Sequence, residues 1–553
     1  MPQRVLSTAA ADVGNASAIT ITAFGRPLVT AVIAAAATAT AIGLPEEVLS
    51  ADAVHVTARK AMEPRAAAAD PALRADDPHF LRDVMPALQG TMRTLLLRSW
   101  GVGAGECKAV LDGVIATELR RAVDAAAGSG GRGDEGVTVD LFSIVSRAVL
   151  RGGVAIFLGS RFEATDGEEV AAGMAAWQSA AFRLPWFLAP RWTRWLRPAI
   201  SEAFERGYKP MVAHVARVMD GSEAAEEGTY LAALLQSLAG LSPSPPVTPG
   251  QVTLHIYGIL VALRINTYAT GAWAVAHVIR EPELAAAATA EVDNFIAATA
   301  TTGASFGGGA KLAPVATASA VTGLATMEAV WAEAVRMYFV TPSLRHARTP
   351  FVIPPPASPG STSGGRSRGD AGNYINRGSR GGSGGGSGGR WTVPGDGRTV
   401  LLSILDINRG TAHPDGDTFV ATRFLPPHGR RWRAAEADRS LYAFAWGPHA
   451  CIGRRVAELA LQRLWVGLLG EYTLALVNAP GRGGGGRGGH GERGEADVVT
   501  VPPPLPAADY ATAFGTAVPV APVWVRLTPR RRPSSAGVPS HAQDDGEEKG
   551  GAR

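Results

Sequence analysis

The sequence predicts a mainly α protein with a smaller β portion. Long Ala- and Leu-rich stretches carry apolar residues at three- and four-residue spacing, the signature of helices with one buried face. A few short β-branched runs are bounded by Gly and Pro, as strands are. Hydrophobic residues make up 46% of the 553-residue chain, enough to bury a large core.

The first element is a hairpin. Ile19 to Phe24 is β-branched, Gly25-Arg26-Pro27 turns the chain, and Leu28 to Ile33 returns. Helices are then expected within Phe80 to Trp100, Val139 to Leu158, Pro190 to Val218 and Gln251 to Arg280. A β region follows, from Phe351-Val352-Ile353 through Trp391-Thr392-Val393 to Thr399-Val400-Leu401-Leu402. The run from Arg454 to Leu461 starts another helix.

Punctuation is concentrated. The chain has 66 Gly and 38 Pro, above the ~12% of average chains. The segment 354–390 is nearly pure Gly, Ser and Arg in its second half and is expected to be a disordered surface insertion. It carries Arg366, Arg368, Arg377, Arg380 and Arg390 against Asp370, a balance equal to the net +4 of the whole chain. An Arg/Gly tract can bind RNA, but a tolerated insertion is the simpler reading, and no nucleic-acid partner is expected. A second Gly-rich loop spans 481–494, and the tail 531–553 reads as disordered.

The two cysteines, Cys107 and Cys451, form no C-x-x-C pair, which argues against zinc and fits a reducing compartment. The longest apolar run, Leu28 to Gly43, is shorter than the ~20 residues that a spanning helix needs. No signal peptide is expected in Met1 to Ala18. No dinucleotide or flavin fingerprint is visible.

On residue type alone, Cys451 is a buried apolar side chain. Its neighbours change that. Phe444, Gly447, Cys451 and Gly453 fit the pattern F-x-x-G-x-x-x-C-x-G, with His449 two residues before the cysteine. Upstream, Glu333 and Arg336 in Trp331 to Arg336 share a helix face and can pair. Ser343 to Ala347 contains Arg345, and Asp417 to Pro426 contains Arg423. On the long helical stretch Asn266 and Thr270 lie four apart, with Thr267 between them. Singly, each of these is an ordinary surface pair, a loop arginine or a polar notch on a helix.

Together and in this order they resemble the cytochrome P-450 family over most of residues 19–530. The resemblance implies a single haem-thiolate catalytic domain over that span, with haem b as cofactor and Cys451 as the iron ligand. It implies that Phe444, Gly447 and Gly453 shape the cysteine loop, with the glycines letting backbone approach the ring and turn. Arg345 and His449 would serve the haem propionates. Glu333, Arg336 and Arg423 would form one buried ion-paired cluster. Ile404 to Arg409 and His413-Pro414-Asp415 resemble the strand and loop that lead into that cluster's arginine. Asn266, Thr267 and Thr270 would face the iron from the opposite side. There Asn266 stands where most monooxygenases have an acid, and this amide has no dissociable proton.

The Asn-Thr pair, with a tryptophan six positions further on, also looks like the branch containing sterol 7α- and 12α-hydroxylases and prostacyclin synthase. The expected activity is insertion of one oxygen atom from dioxygen into a lipophilic sterol, fatty-acid or terpenoid-like substrate. Electrons would come from NADPH through a separate NADPH-cytochrome P-450 reductase. The alternatives are a reductase-independent lipid peroxide isomerase or dehydratase, and a non-catalytic haem or lipid binder. The expected location is the cytoplasmic face of the endoplasmic reticulum, with peripheral membrane contact, or the cytoplasm, with no transmembrane segment in this chain.

Overall fold

The computed structural model describes most residues from 84 to 530, except 98–103, 128–135, 182–197, 241–245, 301–322, 341–342, 354–390, 411, 414, 428, 430, 447–449, 480–501 and 511–514. Nearer the N-terminus it describes 18–23, 26–32, 38, 41–42, 44, 47–50, 67 and 73–74. The insertion 354–390, the loop 481–494 and the tail 531–553 lie outside the described residues.

Helices dominate, with β structure at the two ends of the chain and after Tyr338. Strands β1 (Ala18–Ala23), β2 (Arg26–Val32) and β3 (Leu49–Ser50) come first. Helices α1 (Met85–Leu97) and α2 (Ala104–Ala127) follow. Then come β4 (Val137–Asp140), α3 (Leu141–Leu158), α4 (Ser160–Ala181), α5 (Pro198–Met219) and α6 (Tyr230–Ala239). The long α7 (Pro249–Arg280) leads to α8 (Pro282–Ala300) and α9 (Ala325–Tyr338). Strands β5 (Ser343–Ala347), β6 (Phe351–Ile353), β7 (Trp391–Val393) and β8 (Thr399–Leu402) are next. Helices α10 (Ile404–Arg409), α11 (Trp432–Ala437) and α12 (Arg454–Glu471) precede β9 (Tyr472–Leu476) and β10 (Trp524–Pro529).

The hairpin pairs antiparallel, with a register shift at Ile21/Thr22. It seeds a sheet ordered β1-β2-β8-β5-β3, in which β2 and β8 run parallel. A second sheet is ordered β4-β10-β9, and β6 pairs with β7 across the insertion. Val139 and Asp140 belong to β4, so α3 starts two residues later than its apolar pattern suggests. The reason is Asp140, whose carboxylate accepts the Phe142 N–H and caps the helix. Ile404 to Arg409 is a short helix, not a strand. Asp406 in its first turn and Arg409 in its last complement the helix dipole.

Two described helices are long and apolar enough to cross a membrane, Leu141–Leu158 and Pro249–Arg280. Both are mostly buried inside the fold, as core helices are. α7 packs against α3, α9 and α12. At Gly271 an added Cβ would lie 2.4 Å from Leu461 Cδ2, so this glycine lets α7 and α12 approach closely.

On α7 the buried His277 has Nε2 2.9 Å from the Tyr338 hydroxyl, and its ring stacks on Phe419. Burial, with a contribution from Arg280, lowers its pKa from 6.5 to about 3. The unfolded chain therefore binds more protons between these two values. The stabilisation is present above pH 6.5 and is lost as the pH falls through that window, by at most about 1.4 kcal/mol per pH unit for one proton. In His277→Gln the stability difference between pH 7 and pH 5, read from urea midpoints, is expected to shrink. An undiminished difference would place the acid sensitivity in another group.

Candidate active site

Cys451 immediately precedes α12. Its N–H donates to the Phe444 carbonyl at 2.7 Å, which closes the loop that carries it. Gly453 is the residue before the helix, with φ −80° and ψ 2°. That conformation is open to any residue, and a Cβ there would meet Sγ at an ordinary 3.8 Å. The sharp turn assigned to Gly453 is therefore not a backbone requirement. Among the described residues of this loop, Ala445 is left-handed, with φ 60°. Gly447 and His449 lie outside the described residues.

The Cys451 side chain is accessible, although protein surrounds it on most sides. Burial pushes its thiol pKa up, while the N–H groups of Gly453 and Arg454 and the Arg454 charge pull it down. The same N–H groups are placed to stabilise a thiolate. Arg454 also stacks over the rings of Phe444 and Trp432, 5.0 and 5.2 Å from their centroids. Arg345, on β5, is buried. Tyr442 feels both the Arg345 charge and Cys451, which brings these two site residues into one neighbourhood.

Glu333, Arg336 and Arg423 meet. The Glu333 carboxylate receives Arg336 Nε and Nη2 at 2.8 Å each, Arg423 Nε at 3.1 and 3.2 Å, and the Val420 N–H at 2.8 Å. Arg336 also donates to the carbonyls of Asn408, Gly416 and Thr418. Glu333 and Arg336 have no exposed surface. The cluster ties α9 to the loop that precedes the cysteine segment.

The centre of α7 departs from α-helical geometry. Leu263–Tyr268 forms a π turn that contains Asn266 and Thr267. Such turns recur at functional sites, where they re-aim side chains. The Asn266 Oδ1 is buried with no hydrogen-bond partner. Thr267 is buried. Thr270 does not join the Asn266 side chain. Its hydroxyl donates to the Asn266 carbonyl at 2.8 Å and accepts from the Trp331 indole at 3.0 Å. The expectation of a shared face assumed an unbroken α-helix, and the π turn changes the angular spacing. Trp331 is a neighbour that sequence reasoning did not single out, since only tertiary packing brings it to Thr270.

Residues 393–480, which hold the cysteine loop and the Arg423 loop, match the model of the family described as Cytochrome P-450. Over that stretch the chain is similar to the cytochrome P-450 family. No curated protein matches it. The match supports an oxidoreductase of the haem-thiolate monooxygenase kind, with electrons from a redox partner and a small molecule as substrate. The mostly helical architecture agrees with the cytochrome P-450 fold.

The residues present fit a haem. On α7, Ala262 is exposed and Gly258, Ile259, Ile265 and Asn266 are part-exposed. The Cys451 sulfur is accessible in an enclosed setting. Asn266 Oδ1 and Trp446 Nε1 are buried polar atoms with no hydrogen-bond partner among the described residues. Such orphans are costly unless a bound group or water meets them.

Proposed function

We propose that Cys451 would hold the iron of haem b through its sulfur and that the chain inserts one oxygen atom from dioxygen into a lipophilic substrate. The observation that carries this reading is the Cys451 sulfur, accessible within the fold and met by the N–H groups of Gly453 and Arg454 at the start of α12. Haem, when bound, supplies the activation of dioxygen. The amides of Gly453 and Arg454 hold charge on the sulfur and tune the iron's potential. Arg345 and His449 are the propionate-binding candidates. Glu333, Arg336 and Arg423 fix the loop that leads to the cysteine segment. Asn266 orients an oxygen-bearing ligand or water through its amide, with Thr267 beside it.

The partly or fully accessible positions along one side of α7 include Gly258, Ile259, Ala262 and Ile265, which suits a lipophilic substrate of the sterol, fatty-acid or terpenoid kind. Exposed Arg431, Arg433, Arg439 and Arg455 flank the cysteine segment and outnumber the nearby acids Glu436 and Asp438. A basic surface there suits an acidic flavoprotein, and the electron donor is assigned to an NADPH-cytochrome P-450 reductase. One catalytic domain over residues 19–530 is part of this reading, as is a place in the cytoplasm or on the cytoplasmic face of the endoplasmic reticulum.

One observation favours the peroxide isomerase as a second reading. Asn266 has no acidic proton, and the Thr270 hydroxyl faces two backbone acceptors, the Asn266 carbonyl at 2.8 Å and the Thr267 carbonyl at 3.2 Å. The resemblance to the sterol-hydroxylase and prostacyclin-synthase branch covers both chemistries. A panel of sterols and fatty acids, with and without reductase and NADPH, separates them. Oxygenated product that depends on NADPH, reductase and dioxygen is expected. Rapid conversion of a lipid hydroperoxide to one rearranged product, with no NADPH consumption on any lipid, would overturn the monooxygenase reading.

A further inference from the structure

A continuous set of contacts runs from the cysteine loop to the π turn of α7. Arg454, whose N–H and charge bear on the Cys451 sulfur, lies over Phe444 and Trp432. Both rings pack on Trp331, with centroids 5.5 Å away for Phe444 and 5.4 Å for Trp432. The Trp331 indole N–H donates to the Thr270 hydroxyl at 3.0 Å. That hydroxyl donates to the Asn266 carbonyl at 2.8 Å. The same carbonyl also receives the Ala269 N–H.

A hydroxyl has one proton to give. Accepting from Trp331 turns the Thr270 proton toward the backbone of the π turn, where the Asn266 carbonyl at 2.8 Å is the nearer acceptor and the Thr267 carbonyl at 3.2 Å the farther one. Back-bonding of this kind bends a helix and competes with its regular ladder. The Thr270 bond therefore supports the π form around Asn266. Among the described residues Asn266 Oδ1 has no hydrogen-bond partner, which leaves the backbone of the turn to direct it.

We propose that Trp331 is a positioning residue. Through Thr270 it holds the π turn and the aim of Asn266, and it links that aim to the packing of the cysteine loop. This rests on the haem reading only for its ligand-binding consequence, since the hydrogen-bond chain belongs to the protein itself.

The test uses the full chain and four variants: Trp331→Phe, which keeps an aromatic ring but lacks the donor, Thr270→Val, Thr270→Ser and the double variant Trp331→Phe/Thr270→Val. The first readout is hydrogen exchange of the amides in 263–270. Trp331→Phe and Thr270→Val should each speed exchange there by about fivefold, the factor that a single hydrogen bond confers. Thr270→Ser keeps the hydroxyl and should behave as the parent. The double variant should be no faster than either single one, because both remove the same link. The second readout is imidazole titration of the ferric protein, with the ferrous–CO band recorded alongside. A several-fold change in imidazole affinity, with the CO band unmoved, is expected in the first two variants and the double but not in Thr270→Ser.

Unchanged exchange in Thr270→Val, or additive effects in the double variant, would overturn the proposal. Parent-like imidazole affinity in Thr270→Val would overturn the link to Asn266. Loss of the CO band in the parent itself would count against the haem reading and leave the exchange result to judge the positioning role. Thr270→Val is nearly isosteric, so the proposal does not depend on Trp331→Phe folding.

Discussion

Cys451→Ala is expected to abolish the strongly red-shifted Soret band that reduced, CO-treated protein shows when a thiolate binds the iron. Cys107→Ala should leave that band intact, because nothing in the sequence ties Cys107 to the ligand loop. The effect should be complete, since no other side chain of the segment 450–453 offers a soft donor. Product formation should fall with the band. A persisting red-shifted band in Cys451→Ala, or a histidine-type spectrum from the intact parent, would remove Cys451 from the iron.

Glu333→Ala should be nearly as severe by a different route. It leaves Arg336 fully buried with its carbonyl partners but without the Glu333 charge, and it removes the same carboxylate from Arg423 and the Val420 N–H. Breaking a buried pair in this way costs about 3–5 kcal/mol, a large part of a typical domain's ~5–15 kcal/mol. The expected result is protein that fails to incorporate haem, measured as the haem-to-protein ratio after purification. Glu333→Gln retains hydrogen bonding and should lie between the two. Full haem occupancy in Glu333→Ala would show that the cluster contributes little more than a surface pair.

What could be read from the chain alone follows the range of the interactions. The hairpin Ala18–Val32 was legible because β-branched runs and a Gly-Arg-Pro turn are local signals. The Glu333–Arg336 pair was legible for the same reason, and the order of later motifs added Arg423. Helix Ser160–Ala181 was not read. Its buried positions include glycines and the charged Glu163, which dilute the apolar pattern. The π turn was invisible, because one wide turn inside a long apolar helix leaves periodicity almost unchanged. Trp331 and Thr270 are 61 positions apart, and no spacing rule joins them. Asn266 was picked out by its type and place, whereas its lack of a partner emerged only from packing.

The close approach of the C-terminal segment to α7 bears on how the chain reaches this state. An added Cβ on Gly515 would lie 2.0 Å from Ile265 Cγ2, and Gly515 holds φ 136°, a conformation open to glycine. Two residues on, the Ala517 carbonyl receives the Trp273 indole N–H across a separation of 244 residues, at 2.8 Å. Closing a loop of that length costs about 5 kcal/mol of chain entropy before any contact repays it. During synthesis from the N-terminus, the middle of α7 therefore leaves the ribosome long before the segment that completes its surroundings. The buried Trp273 donor waits for that segment, so the interior around Asn266 is among the last parts of the molecule to take its final form.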